Sequence, residues 1–398
     1  MVGTNNNHAA YRQRCSVLRR AELDLSAAQR SFRLGILATI DNEENFGLIR
    51  QSAGQAIVQR IPIPELRDGY ILVRTVAIAL NPTDHTSLDT AGAPGTLVGC
   101  DYAGVVVKVG KGVTRSFQPG DRIAGFAHGA NDAYPEGGAF ARYIVVKGDL
   151  QLHISDNVDF EAAASTGVAI GTSMYALHKS LSLPLPGSSS LANGEPLLVY
   201  GGSTSTGSIA VQLAAQLGYS VITTCSPKHF DLLRERGAKL LYDYRAPSVG
   251  ESIRTATKNK LKLVFDTVSI ESSAAICAQA FGSEGGIYCN LLDTVCSRDH
   301  VNSVSFLGYS ITGEKYVYEG EKITAQPEDF TLGRQYMDIA EKLWAKGQLK
   351  MHPQRVGSKG LYRTLEGMQE MRDGKVSGEK LVDRIEDTPW PEANPSSD

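Results

Sequence analysis

Long apolar runs are missing from this chain of 398 residues. No stretch approaches the ~20 consecutive apolar residues of a membrane-spanning helix, so no membrane partner is expected. Cysteine is scarce: Cys15, Cys100, Cys225, Cys277, Cys289 and Cys296 include no C-x-x-C pair and no dense cluster. That argues against a disulfide-stapled secreted scaffold and for a reducing, cytoplasmic setting with the thiols as small core residues. An excess of either charge is also lacking, and a net charge of −3 offers nucleic acid or an anionic membrane nothing to hold. No secretory signal pattern is present. What remains, 42% hydrophobic, suits a globular protein long enough for two domains.

The first residues are polar, and six arginines follow between Arg12 and Arg33. This resembles a mitochondrial targeting peptide, but Glu22 and Asp24 break the acid-poor composition such peptides keep. Residues 1–44 are read as a disordered or spurious extension without function. From Phe46 short strands follow one another with turns at about 10-residue spacing. GQAIVQRIPIPEL alternates, YILVRTVAIAL runs into Asn81-Pro82, and LVGCDYAGVVVKVG reads as a glycine-punctuated strand pair. A compact β-barrel-like domain is expected.

Phe160 onward changes character, and FEAAASTGVAIGTSMYALHKSL reads as one helical stretch. Strand and helix then alternate as far as a last strand, VSFLGYSIT, which predicts an α/β domain with a doubly wound parallel sheet. Two amphipathic helices follow, one with Met337, Ala340, Leu343 and Trp344 on a single face. A final strand, KLVDRI, returns to the first domain, and the end of the chain is polar and disordered by composition.

The chemistry-bearing stretch is PLLVYGGSTSTGSIAVQLAAQLGYSVITTCSP, Pro196 to Pro227. An apolar strand breaks into a glycine and hydroxyl turn, a helix follows, and Gly218 stops it before a second strand. G-x-G-x-x-G is absent. Gly201 and Gly202 permit a tight turn close to a pyrophosphate, Gly207 permits close helix packing, and the helix N-terminus offers unpaired N–H groups to an anion. Ser203, Thr204, Ser205 and Thr206 add hydroxyl donors, though such residues also serve as ordinary N-caps. An NAD-selective site carries a carboxylate at the end of the second strand. Here that position reads Thr224-Cys225-Ser226-Pro227-Lys228-His229. Ser226 and Lys228 suit a 2′-phosphate, so NADPH is the expected cofactor.

With these motifs in place, Phe46 to about Ile385 resembles the medium-chain dehydrogenase/reductase superfamily, in its quinone-reductase-like branch. ALNPTDH, GCDYAGVVVKVG, QPGDRI, EGGAFARY, the cradle and VSGEKLV carry the resemblance. YGGSTSTGS, TCSPKHFDLLRERGA, YDYRAP and IRTATKN are similar to the trans-acting enoyl reductases that serve fungal highly reducing polyketide synthases. The resemblance implies a GroES-like β-barrel catalytic domain over residues 45–165 and 326–386. It implies a Rossmann NADPH-binding domain over 166–325 and leaves 387–398 as a disordered tail.

Zinc-dependent members of that superfamily carry a Cys where this chain has Asn81-Pro82-Thr83-Asp84, and Gly-His-Glu where it has Gly99-Cys100-Asp101. Their four-Cys structural cluster corresponds to Ala124 to Tyr143, which holds no Cys. Tetrahedral zinc needs several soft ligands together, so no metal is expected. The implied reaction is reduction of a C=C bond conjugated to a carbonyl, supported by positioning and by donors at the developing enolate oxygen. Candidate proton donors are His85 and Tyr175, with His178 better read as packed or capping. A lysine often follows the Asn-Pro-x-Asp segment in such reductases, and Thr86 stands there instead, which leaves solvent as a further donor.

The resemblance implies cofactor contacts at Thr83, Asp84, His85, Thr86, Ser203, Thr204, Ser205, Thr206, Ser226, Pro227, Lys228, His229, Tyr244, Leu291, Leu292, Val376 and Ser377. It implies an acyl channel at Met174, Tyr175, Ala176, Leu177, His178, Lys179, Ser180 and Leu181, and at Gly308, Tyr309, Ser310, Ile311 and Thr312. The implied partner is a highly reducing polyketide synthase, or a hybrid synthase, presenting a carrier-bound enoyl chain to a monomeric enzyme. Two other readings stand beside it: a stand-alone NADPH quinone or enone reductase, and a dinucleotide-binding protein without turnover.

Overall fold

The computed structural model describes residues 43–189 and 191–390. The chain opens with an antiparallel hairpin, β1 (Asn45–Ser52) and β2 (Gln55–Ile61). β3 (Tyr70–Ala79) is followed closely by a helix the sequence reading does not include, α1 (Pro82–Thr90), with Asn81 as its N-cap. A proline at the first helical position has no N–H to leave unpaired, and that signal stands in the sequence. β4 (Asp101–Val109) is one strand rather than the expected pair. Gly104 sits inside it because β3 passes so close that a Cβ there would meet the Arg74 carbonyl oxygen at 2.5 Å. β5 (Arg122–Phe126), β6 (Tyr143–Lys147) and β7 (Gln151–His153) complete this part.

The stretch read as one helix is three pieces: α2 (Phe160–Ala164), α3 (Gly167–Met174) and a π-helical turn, Tyr175–Ser180. The break has a local cause. Ser165 Oγ and Thr166 Oγ1 each donate 2.7 Å bonds to the carbonyls of Ala162 and Ala163, competing with the helical ladder.

The alternating units follow as β8 (Pro196–Tyr200), α4 (Ser205–Gln216), β9 (Ser220–Cys225), α5 (Phe230–Glu235), β10 (Leu240–Asp243), α6 (Val249–Ala256), β11 (Leu263–Asp266), α7 (Glu271–Ala280), β12 (Gly286–Asn290) and β13 (Val301–Ser305). The expected strand VSFLGYSIT ends early. Its second half, Gly308–Thr312, is a 3-10 turn that carries Tyr309 inward. A small hairpin, β14 (Tyr316–Tyr318) and β15 (Glu321–Ile323), leads to the long helix α8 (Pro327–Ala345), where Met337 and Ala340 are buried. β16 (Gln354–Val356), α9 (Leu361–Arg372) and β17 (Lys380–Arg384) close the chain.

Two sheets organise these elements. One runs β16-β17-β3-β4-β5-β7, with β6 also on β3, and its strand pairs are antiparallel apart from β16–β17. β17 pairs with β3 through Val382 opposite Ala79, so a strand from late in the chain completes the sheet that β3 to β7 begin. The second is six-stranded and wholly parallel, in the order β10-β9-β8-β11-β12-β13. The direction of winding reverses between β8 and β11, where such sheets open a crevice beyond their carboxyl ends.

Strand alternation divides the parallel sheet's core in two. Leu197 and Val199 pack with Ile209, Leu213 and Met337 on one face, while Leu198 and Tyr200 pack with Val249, Ile253 and Phe281 on the other. The antiparallel sheet has its own core around Ile71, Val73, Val106, Ile123 and Ile144. Every cysteine among the described residues is buried and unpaired; Cys15 lies outside them. Most of the extension read over 1–44 and of the tail read over 387–398 also lies outside. At their inner ends Glu43 pairs with Arg142 at 2.7 Å, Thr388 is buried, and Trp390 packs its ring 5.3 Å from that of Phe46.

Candidate active site

The turn after β8 is built to leave donors open. Gly201 has φ +80°, a conformation costly for any residue with a side chain. A Cβ on Gly207 would meet the Gly201 carbonyl oxygen at 2.4 Å, so the helix approaches the turn only with glycine there. Thr204 is the N-cap: its hydroxyl accepts from the Gly207 amide at 2.9 Å and lies 3.0 Å from Thr267 Oγ1. That hydroxyl therefore finishes the helix. Ser205 Oγ, by contrast, is buried without a partner, and the first-turn amides of Ser205 and Thr206 have no intrahelical acceptor. An orphaned hydroxyl beside open amides at a helix N-terminus fits a phosphate group.

This turn forms one wall of a cleft of about 760 Å³ between the two sheets. Toward β9 and β10 the cleft is lined by Ser226 and Tyr244, the latter 42% exposed. Lys228 is exposed just outside it, and His229 Nε2 lies 3.1 Å from Ser377 Oγ, joining the β9 end to the loop before β17. Toward β11, β12 and β13 the lining is Thr267, Val268, Leu291, Leu292, Phe306 and Tyr309. The facing wall is α1, with Thr83, His85 and Thr86, together with Val376, Ser377 and Lys380.

Behind α1 lies a buried polar cluster that sequence reasoning missed as a unit. Lys380 Nζ is 3.0 Å from Asp101 Oδ2 and also donates to Asn81 Oδ1. Asn81 Nδ2 donates to the same Asp101 oxygen at 2.9 Å, and the Val168 amide donates to Asp101 Oδ1 at 2.7 Å. Asp84 accepts from the Asn81 amide at 2.6 Å. Burial pushes the Asp84 carboxyl up to about 7, against the pull of its Asn81 and Cys100 hydrogen bonds and of Lys380. Asn81, Asp101 and Lys380 stand in three separate motifs far apart along the chain, so no local pattern joins them into one cluster.

Of the expected cofactor residues, Thr83, His85, Thr86, Ser203, Thr204, Ser205, Thr206, Ser226, Tyr244, Leu291, Leu292, Val376 and Ser377 line the cleft. Asp84 does not, being buried beneath α1, and Pro227, Lys228 and His229 stand beside the cleft rather than in it. Of the expected acyl-channel residues, Gly308, Tyr309 and Ile311 line it, whereas Ser310 and Thr312 do not. Met174, Tyr175, Ala176, Leu177, His178, Lys179, Ser180 and Leu181 are absent from the lining: Met174, Tyr175, Ala176, Leu177 and Leu181 are buried in the core, and Tyr175 and Lys179 reach Asp329 of α8. The preceding turns of the same helical stretch take their place, with Gly167, Val168, Gly171 and Thr172.

The expected proton donors separate on geometry. The Tyr175 hydroxyl donates to Asp329 at 2.9 Å, with Lys179 on the other carboxylate oxygen, so that tyrosine is held in a structural ion-pair cluster away from the cleft. His178 Nδ1 lies 2.7 Å from the Leu183 carbonyl. His85 does reach the cleft, but burial and the nearby Arg372 lower its pKa. From the two segments compared above with the zinc-ligand motifs, Thr83 Oγ1 and Cys100 Sγ lie 2.7 Å and 3.5 Å from the Tyr309 hydroxyl. Among the described residues, no group of three His, Cys, Asp or Glu side chains is arranged to hold a metal.

Comparisons with known proteins identify the fold and the family. Residues 67–156 match the alcohol dehydrogenase GroES-like domain, and residues 205–288 match the zinc-binding dehydrogenase family. The trans-enoyl reductase resD of Aspergillus sclerotiorum is 41% identical, over 85% of this chain and 99% of its own. The trans-enoyl reductase TOXD of Cochliobolus carbonum is 47% identical over 69% and 92%. Among solved structures, the CurK enoyl reductase superposes with TM-score 0.67 at 18% identity, over 86% of this chain and 99% of that one. Mycobacterial Rv1454c complexed with NADPH superposes with TM-score 0.63 at 20% identity, over 85% and 99%. A GroES-like sheet, a parallel sheet with a phosphate-ready turn, and this similarity along nearly whole chains lead to one assignment: the chain belongs to the trans-enoyl reductases of the medium-chain dehydrogenase/reductase superfamily.

Proposed function

We propose that this protein is a zinc-independent, NADPH-dependent enoyl reductase. It acts in trans on α,β-unsaturated thioesters carried by a highly reducing polyketide synthase or a hybrid synthase. The observation that carries the reading is the cleft between the two sheets. One wall offers the open amides and the orphaned Ser205 hydroxyl, and the rest is largely apolar. In this reading residues 166–325 bind NADPH, while residues 45–165 and 326–386 supply the facing wall.

Ser203, Ser205 and Thr206 would hold the pyrophosphate, Ser226 and Lys228 the 2′-phosphate, and Tyr244 the adenine face. Leu291, Leu292, Val376 and Ser377 would flank the nicotinamide half. When bound, the reduced nicotinamide supplies a hydride to the β-carbon of the enoyl group. The protein's own part is to hold that carbon in register and to keep water out between Phe306, Leu307 and Ile311. Gly167, Val168, Gly171, Thr172, Gly308 and Ile311 would bound the acyl chain. A monomer in the cytoplasm fits a carrier-delivered substrate, and no helix among the described residues is long and apolar enough to cross a membrane.

The test is purified protein with NADPH, offered an enoyl-pantetheine thioester, a free enone or a simple quinone. Faster NADPH oxidation with the thioester is expected. Preference for the quinone would sink the reading, and tight NADPH binding with no oxidation of any acceptor would leave a binding protein without turnover.

A further inference from the structure

Reducing the β-carbon leaves the α-carbon in need of a proton, and the residues named so far do not deliver one. Resting on the reading above, we propose that Tyr309 is the proton donor to the α-carbon, with Thr83 returning the proton to it. The order β10-β9-β8-β11-β12-β13 is the starting point. With the phosphate turn on β8 and the adenosine side over β9 and β10, the reactive half of a dinucleotide extends over β11 to β13. Tyr309 lies just beyond the end of β13, in the 3-10 turn Gly308–Thr312, and lines the cleft at that end.

Its hydroxyl is aimed by its surroundings. The ring stacks on His128 with centroids 3.5 Å apart and planes 4° from parallel, and Tyr316 meets it edge-on at 6.1 Å. Cys100 Sγ lies 3.5 Å from the hydroxyl on one side and Thr83 Oγ1 lies 2.7 Å away on the other. A donor fixed this way needs no reorganisation when the substrate reacts. The other candidates lack these features: the Tyr175 hydroxyl is committed to Asp329, and His85 has no hydrogen-bond partner among the described residues to orient it. Burial holds the Tyr309 O–H well above the ordinary tyrosine range, so the proton is in place throughout the neutral range. The α-carbon of a thioester enolate is a stronger base still.

In the step, the enolate C=C electron pair takes the proton, a C–H bond forms at the α-carbon, and the Tyr309 O–H bond breaks. The tyrosinate then accepts a proton through the Thr83 hydroxyl. Thr83 is half-buried on the cleft wall and is resupplied from water.

The experiment compares wild type, Tyr309→Phe and Thr83→Val on an α-methyl enoyl-pantetheine thioester with NADPH, in water and in deuterium oxide. Turnover, the solvent isotope effect and the configuration at the α-carbon are read. Loss of general acid catalysis in Tyr309→Phe should lower kcat about 10²–10⁴-fold. The product should become a mixture of α-epimers, while NADPH affinity and melting temperature stay at wild-type values. Thr83→Val should slow turnover but keep a single epimer. Wild-type turnover in Tyr309→Phe overturns the inference. A slowed variant with unchanged isotope effect and one α-epimer overturns it too, and leaves Tyr309 as a hydrogen-bond donor to the enolate oxygen. If the wild type reduces only a free enone, the preceding proposal falls, and the same comparison on an α-methyl enone still decides the role of Tyr309.

Discussion

Lys380 Nζ lies 3.0 Å from Asp101 Oδ2, with the lysine side chain 5% exposed and the aspartate fully buried. The pair ties β17, near the end of the chain, to the start of β4, and through Asn81 and Val168 it also fixes α1 and α3. Removing one member leaves an uncompensated buried charge, so Lys380→Met should cost about 3–5 kcal/mol. Equilibrium denaturant unfolding measures it. A cost under about 1 kcal/mol would mean that the cluster is wetter or more adaptable than its burial indicates.

Ser226 lines the cleft at the end of β9, where a carboxylate would repel a 2′-phosphate. Ser226→Asp should therefore raise KM for NADPH roughly 10–100-fold, the equivalent of a lost charge-assisted hydrogen bond. KM for NADH should hold steady or fall. Steady-state kinetics with both cofactors decides this, and equal effects on the two would place the 2′-phosphate elsewhere.

A Cβ built on Gly308 would stand 3.5 Å from Thr172 Oγ1, so these two residues are neighbours in the cleft lining. Thr172→Phe narrows the cleft beside them without touching the phosphate turn. We expect kcat/KM for a long-chain enoyl thioester to drop at least about tenfold, as an overfilled pocket rejects bulk. Activity on a short-chain thioester should persist. Equal loss on both chain lengths would remove Thr172 from the acyl channel.

Asp84 gives a pH signature. Its carboxyl, normally near 3.8, is pushed up to about 7 by burial, so between those values the folded protein holds a proton that the unfolded chain releases. The stability it contributes is complete below about pH 4 and is lost as pH rises to about 7. Asp84→Asn removes this dependence. The difference in stability between wild type and variant should therefore shrink by roughly 2–4 kcal/mol across that window and be flat above it. Buried His128 and His352, lowered to about 3, and Asp383, raised to about 7, titrate in the same range but cancel in the difference. A difference that does not vary with pH would show Asp84 ionised throughout.

Much was legible without coordinates, because local chemistry dictates it. Pro196 to Pro227 reads as strand, turn, helix and strand from period, glycine and capping alone, and that is its structure. The lack of an acid after Thr224 is likewise a local fact. α1 was legible too, since Asn81 before Pro82 is a helix-start signal, but a strand ending in Asn-Pro reads equally well as a turn.

The rest is tertiary. Periodicity says that the stretch before Leu181 has a buried face, but not that Gly171 and Thr172 meet the cleft while Tyr175 meets Asp329. An apolar run through Gly308 to Thr312 looks like strand until the chain must leave the sheet's end and turn Tyr309 toward Thr83, 226 positions earlier. Asp101 and Lys380 stand in two separate motifs, GCDYAGVVVKVG and VSGEKLV, and nothing local joins them until β17 pairs with β3 and sets them side by side. Short-range pattern determines elements because the backbone pays for them locally, whereas a site assembled from distant residues exists only once the two sheets are packed.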